Sequence, residues 1–190
     1  MILEGIVTTV SPEGEVNIAP MGPQVGATWD RFTLRPYITS TTFRNLRETR
    51  QGVLHITDDV LLLAQSAIGA IDPQPELIPA HQVHGFILRD CCKFVEFRIA
   101  FLDESEERTR MEAEAVHSGT VRDFFGFNRA KHAVVEAAIL ATRTHLLPRD
   151  EISKEYEKLA VIVRKTGGEQ EHKAFELLKG FVAAQPGRDS

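Results

Sequence analysis

The reading of the fold turns on Tyr37 to Thr57, YITSTTFRNLRETRQGVLHIT. Four hydroxyl residues, Thr39-Ser40-Thr41-Thr42, follow Tyr37-Ile38 and lead into a helix-compatible stretch from Thr42 to Arg50. Gly52 is expected to end that helix before a β-type run, Val53-Leu54-His55-Ile56-Thr57. A strand that turns through hydroxyl residues into a helix leaves first-turn N–H groups pointing outward, with the positive end of the helix dipole behind them. Two readings stay open at this point. Thr41 or Thr42 is a plain N-cap, or the turn grips an anionic ligand such as a phosphate, with Arg44 and Arg47, three residues apart on one helix, adding bidentate contacts.

Outward from this unit, the amino-terminal part reads as strands. Ile2, Glu4, Ile6, Thr8 and Val10 alternate, Ser11-Pro12-Glu13-Gly14 supplies a turn, and Glu15 to Ala19 returns, which predicts a hairpin. Pro20 to Gly26 is expected to be a loop, and Phe32 and Leu34 a short strand closed by Arg35-Pro36, since proline marks a strand end or an edge. On the carboxyl side, Asp58-Asp59 caps a second helix holding Val60, Leu61, Leu63, Ala64, Ala67 and Ile68. Further strands are predicted at Gly85 to Leu88 and Lys93 to Leu102. In the second of these Phe94, Glu96, Arg98 and Ala100 share one face and Val95, Phe97 and Ile99 the other. Arg108 to Val116 alternates like a strand although its Ala, Met and Glu are helix formers, and a strand is expected.

From about Ser118 the period changes. Asn128 caps a helix carrying Ala130, Ala133, Val134, Ala137 and Ala141 up to Pro148; Asp150 opens a second that stops at Gly167-Gly168; a third carries Phe175, Leu178 and Val182 to Pro186-Gly187. Strands first and helices later predict a segregated α+β arrangement. The expected division is a strand domain over 1–117, a helical subdomain packed on it over 118–186, and a tail over 187–190.

Composition narrows the function. In 190 residues, 43% hydrophobic and 26% charged describe an ordinary globular chain, and a net charge of −5 argues against a nucleic-acid partner. No apolar run is long enough for a signal or a membrane span, so a cytoplasmic protein is expected. The two cysteines, Cys91-Cys92, are adjacent and are read as buried thiols. A zinc site combining them with His81 and His84 fails on spacing, and no metal is expected. Phosphate-loop, dinucleotide, nucleophile-elbow and zinc-protease motifs are all missing.

Together, the amino-terminal hairpin ending in Asn17-Ile18-Ala19-Pro20-Met21-Gly22, Arg35-Pro36-Tyr37 before Ser40-Thr41-Thr42, and Asn45-Leu46 resemble the FMN-binding split-barrel superfamily typified by flavin reductases. Gly52-Val53-Leu54-His55-Ile56 and Phe127 to Ala138 are similar to one branch of it, the domain of unknown function 447. The resemblance implies a six-stranded-type antiparallel split β-barrel with an appended helical subdomain. It also implies FMN near a homodimer interface, with Ser40, Thr41, Thr42 and Asn45 on the phosphate, Arg44 able to join them, and Asn17, Ala19, Pro20, Met21 and Gly22 along the isoalloxazine ring. The implied activity is a flavin-dependent oxidoreductase using NAD(P)H, with His81, His84 or Arg98 as candidate substrate contacts. The alternatives are a protein that stores FMN and a flavin-free interaction protein.

Overall fold

The computed structural model describes residues 1–185. The expected helix end at Pro186-Gly187 and the tail 187–190 lie outside the described residues. Two compact units are present: a strand unit of residues 1–57 and 74–124, and a helical unit of residues 58–73 and those from 125 onward.

The strand unit contains β1 (Gly5–Val10), β2 (Val16–Met21), β3 (Gln24–Val25), β4 (Arg31–Leu34), helix α1 (Thr41–Thr49) and β5 (Gln51–Ile56). After an excursion into the helical unit come β6 (Leu77–Pro79), β7 (Phe86–Leu88), β8 (Lys93–Asp103) and β9 (Arg110–Thr120). Seven strands form one antiparallel sheet in the order β2-β1-β5-β8-β9-β4-β3, and β6 and β7 pair separately. The seventh strand, beyond the six expected, is the two-residue β3 inside the stretch read as a loop. Most of that stretch is extended, because β2 runs through Pro20-Met21 opposite Gly5 and Ile6. Pro20 is tolerated there since β2 is an edge strand.

The sheet curls into a half-barrel, and its hydrogen bonds say why. Residues just before β1, near one edge, pair with β3 at the other: Ile2 bridges to Gln24, Leu3 N–H donates to the Pro23 carbonyl at 3.1 Å, and Val25 N–H donates to the Met1 carbonyl at 2.8 Å. A flat seven-stranded sheet could not bring these edges together. The concave face holds Val7, Leu54, Val95, Phe97, Ile99, Phe32, Leu34 and Met111, with Phe43 and Leu46 of α1. Each such side chain contributes about 1.5–3 kcal/mol on burial. The β8 faces come out as expected, with Val95, Phe97 and Ile99 in this core. The opposite face is covered as well: every residue of β1 is buried, because the β6–β7 hairpin lies over it and Phe86 offers its carbonyl to the Thr8 hydroxyl.

Gly52 does not end α1. The helix stops at Arg50, a C-cap in the left-handed region at φ 57°, whose N–H donates to the Leu46 carbonyl. Gly52 is instead the second residue of β5. A Cβ there would meet Phe97 Cζ at 2.8 Å and the Thr8 carbonyl oxygen at 3.1 Å, so the glycine serves close packing and not a turn.

The helical unit contains α2 (Val60–Ala67), α3 (Arg129–Ala141), α4 (Arg149–Thr166) and α5 (Glu169–Ala184). α2 packs on α3 and α5 although it lies between β5 and β6 in sequence. Asn128 caps α3 as expected, its side-chain oxygen accepting from Ala130 and Lys131 N–H at 2.7 and 3.1 Å. α3 ends at Ala141, well before Pro148, which is instead the residue preceding α4. Its alanine stripe lets neighbouring helices approach closely, and the Tyr156 hydroxyl donates to the Ala137 carbonyl at 2.7 Å. The largely buried Lys131 ammonium ties three helices: it donates to the Asp58 carbonyl at 2.7 Å before α2 and to Gln170 Oε1 at 3.0 Å, and pairs with Glu171 at 2.9 Å on α5.

Gly52→Ala is expected to lower the stability of the strand unit by about 1–3 kcal/mol through overpacking. Arg50→Gly should be neutral or raise it by up to about 1 kcal/mol by relieving the left-handed backbone. Urea midpoints of the two variants check this, and an Ala at position 52 without cost would contradict the close approach of Phe97.

Candidate functional site

The hydroxyl turn is built as a helix start. Ser40, with extended backbone, is the N-cap: its Oγ accepts from Phe43 N–H at 3.1 Å. The cap therefore falls one residue before Thr41 and two before Thr42. The N–H groups of Thr41 and Thr42, in the first turn, have no partner within the helix. Thr42 and Asn45 turn inward and are buried. There Asn17 Nδ2 donates to Thr42 Oγ1 at 3.1 Å and to Thr9 Oγ1 at 3.3 Å, and Asn45 Nδ2 donates to Thr9 Oγ1 at 3.0 Å. Thr41 and Arg44 turn outward. Arg44 donates to the Thr39 carbonyl and to Thr41 Oγ1, both at 2.9 Å, which poses its guanidinium over the helix start.

The expected site residues thus divide. Asn17, Thr41, Arg44 and Asn45 line one open cleft of about 570 Å³ between the β1–β2 turn and α1. Ser40 and Thr42 sit at the helix start beside it, while Ala19, Pro20 and Met21 continue along the edge strand and Gly22 follows it, all half-buried. Asn17 belongs by contact with Thr42 and Asn45. Thr9 escapes a reading of the sequence, although it is the hub of this network; the only sign of it there is its place next to the alternating Thr8. Glu13, Glu15 and Glu48 also line the cleft, so the donors on this side that suit an anion are confined to Thr41, Arg44 and the first-turn N–H groups.

A second polar cluster lies on the opposite face of the sheet. Glu96, on β8, is 0% exposed. Its Oε1 accepts from His81 N–H at 2.9 Å and lies 3.0 Å from His81 Nδ1; its Oε2 accepts from the N–H groups of Gln82 at 2.6 Å and Val83 at 3.2 Å. Burial pushes this carboxyl up, but the His81 and Gln82 N–H groups, the His81 ring and the Val83 N–H outweigh it and hold it below its ordinary value. His117 stands opposite Glu96 on β9, its ring 4.9 Å from that of His81, and both rings border Phe94. His84 and Arg98 do not join: His84 N–H donates to Gln51 Oε1 and the Arg98 guanidinium to the Gln82 carbonyl. Cys91 and Cys92 are buried thiols, as expected, and burial pushes Cys91 up to about 12.

His55 is the fully buried histidine of this face. Leu88 N–H donates to its Nε2 at 3.1 Å, so Nδ1 carries the proton and donates to the Ile6 carbonyl at 3.1 Å. Burial lowers its pKa from 6.5 to about 4, against the smaller opposing effect of the Ile6 carbonyl.

The family model for "protein of unknown function (DUF447) N-terminal domain" matches residues 3–122, and its carboxyl-terminal counterpart matches residues 128–180. The chain belongs to the DUF447 family. No curated protein matches it. Among solved structures, the DUF447 chain is similar to an FMN-bound protein of the same family from Methanosarcina mazei, with TM-score 0.82 and 22% identity, covering 95% of this chain and 94% of that one. It is also similar to the styrene monooxygenase flavin reductase of Pseudomonas putida S12, with TM-score 0.53, 13% identity, and 63% and 81% coverage. Component B of nitrilotriacetate monooxygenase from Bacillus cereus gives TM-score 0.52, 17% identity, and 63% and 70% coverage. At these identities the likeness is one of fold, and the fold is the FMN-binding split barrel with carboxyl-terminal helices. No described helix of this DUF447 protein is long and apolar enough to cross a membrane.

The His55 geometry sets a pH dependence. Between pH 6.5 and about 4 the unfolded chain takes up a proton that the folded chain refuses, so stability is full above pH 6.5 and falls as pH drops through that window. The loss is on the order of 3 kcal/mol, at about 1.4 kcal/mol per pH unit. His55→Phe removes this one proton, and its stability should fall less steeply over the window by that amount. Parallel pH profiles for the two proteins would contradict the neutral buried imidazole.

Proposed function

We propose that this DUF447 protein binds FMN and acts as a flavin-dependent oxidoreductase drawing on NAD(P)H. The observation that supports this most is the shared fold with an FMN-bound protein over 95% of the chain. The residues present fit the cofactor at both of its ends. At the start of α1, the Thr41 hydroxyl, the Arg44 guanidinium and the unpaired N–H groups of Thr41 and Thr42 form a donor set suited to a phosphate. Along β2, the edge from Asn17 to Gly22 offers unpaired backbone groups to a flat ring.

When bound, FMN supplies the hydride and electron chemistry, and the protein supplies binding, orientation and electrostatics. Ser40 orients the helix start by capping it. Thr42 and Asn45 hold that start against β1 and β2 through Asn17 and Thr9. Their side chains serve positioning, and side-chain contact with the phosphate falls to Thr41 and Arg44. The three glutamates of the cleft discourage a phosphate elsewhere along it. A homodimer with FMN near the interface completes the proposal. It would cover exposed apolar residues of the strand unit such as Phe101 and Val116.

Purified protein is expected to be yellow and to release FMN on denaturation; a colourless preparation that fails to bind added FMN would overturn the reading. Arg44→Ala should weaken FMN binding roughly 10–100-fold, the loss of one charge-assisted contact of about 1.5–3 kcal/mol, while barely changing riboflavin binding. Thr42→Ala should weaken both ligands together and lower the melting temperature. Anaerobic bleaching by NADH or NADPH faster than that of free FMN tests turnover, and sedimentation tests the dimer.

A further inference from the structure

We propose that His81, Glu96 and His117 bind one borderline divalent transition-metal ion of the Zn²⁺ class, through two imidazoles and one carboxylate, with a further position open to solvent. Among the described residues this is the one group of three potential ligands, and its ligand atoms all lie within 4.8 Å of one another. Donors at 2.0–2.2 Å from a tetrahedral ion stand about 3.4 Å apart. The His81–Glu96 pair, at 3.0 Å, therefore needs to open slightly, and His117 to approach by roughly an ångström.

The carboxylate is prepared for this role. A carboxylate accepts about four hydrogen bonds. Three of Glu96's are taken by backbone N–H groups of residues 81–83, and the fourth by the His81 ring. An ion that replaces the proton between His81 Nδ1 and Glu96 Oε1 leaves those three backbone bonds intact. They then act as the outer shell that ligating carboxylates regularly have. The imidazoles are walled in place as well. His81 stacks on Phe94 with rings 11° from parallel and 5.8 Å apart, and Phe94 also borders His117. Phe94 reaches this position only because Gly119 faces it: a Cβ there would lie 2.7 Å from the ring.

Two features favour a bound ion over a closed structural clasp. The His81 side chain is 55% exposed above a carboxylate with no exposure, so an ion can enter and keep an open position. Three protein ligands of the His-His-carboxylate type with an open position are the set of catalytic zinc centres and, with other geometry, of non-haem iron. The cluster lies on the sheet face opposite α1 and shares no residue with the cleft at the start of that helix.

The test is calorimetric titration of the chelator-treated full chain with ZnCl₂, followed by Co²⁺ as an absorbing substitute. One ion per chain is expected. His81→Ala and His117→Ala should each weaken binding by more than about 100-fold, since losing an outer-shell partner alone costs 10–100-fold. His84→Ala, outside the cluster, should leave binding unchanged. Because Glu96→Gln can release the 81–83 loop, the two histidine variants are the decisive ones, with metal-free melting temperatures showing that they fold. No stoichiometric Zn²⁺ binding by the wild type, or equal binding after both histidines are replaced, would overturn the proposal.

Discussion

Strands β1 and β5, and β8 from Phe94 to Phe97, are covered on both faces, and this constraint governs the rest of the strand unit. A strand with one wet face can leave its polar side chains to water; a strand covered twice cannot. Thr8, His55 and Glu96 all point toward the outer layer, and each finds its partner in residues 81–88: the Phe86 carbonyl, the Leu88 N–H, and the N–H groups of His81, Gln82 and Val83. Glu96 is the most demanding of the three, because a buried charge stripped of its partners costs about 3–5 kcal/mol. The β6–β7 hairpin is thus held by polar matching as much as by apolar area.

The same constraint sorts the chemistry. Thr8 and Thr9 are neighbours in β1, and strand geometry sends them to opposite faces. Thr9 holds Asn17 and Asn45 beside α1, and Thr8 faces the hairpin that carries His81. One strand therefore braces two separate polar sites.

Much of this is legible in the sequence where periodicity and caps act locally. The division of β8 into two faces, the Asp59 and Asn128 caps and the helical third all follow from short-range rules. Helix α1 is legible too, but its end is not: Gly52 looks like a terminator, yet Arg50 takes the left-handed position and Gly52 is required by Phe97, 45 residues away in the chain. Pro20 to Gly26 looks like a loop because proline and glycine dominate it, and the edge position of β2 overrides that signal. At the helix start the hydroxyl residues stand out, while their division into inward and outward sets depends on Thr9, which only the β1–β2 register supplies. His81, Glu96 and His117 lie on three separate elements, so no spacing rule joins them.

The helical unit draws its first helix from between β5 and β6, and this has a consequence in time. During synthesis α2 leaves the ribosome about a hundred residues before α5, the helix against which it packs. At 5–20 residues per second that interval is roughly 5–20 s. Through it Val60, Leu62, Leu63 and Ala64, all buried in the finished protein, must wait while the strand unit receives its own last strand, β9. The order of translation thus places assembly of the half-barrel ahead of the helices, and leaves α2 as the segment a chaperone or a neighbouring nascent chain would meet.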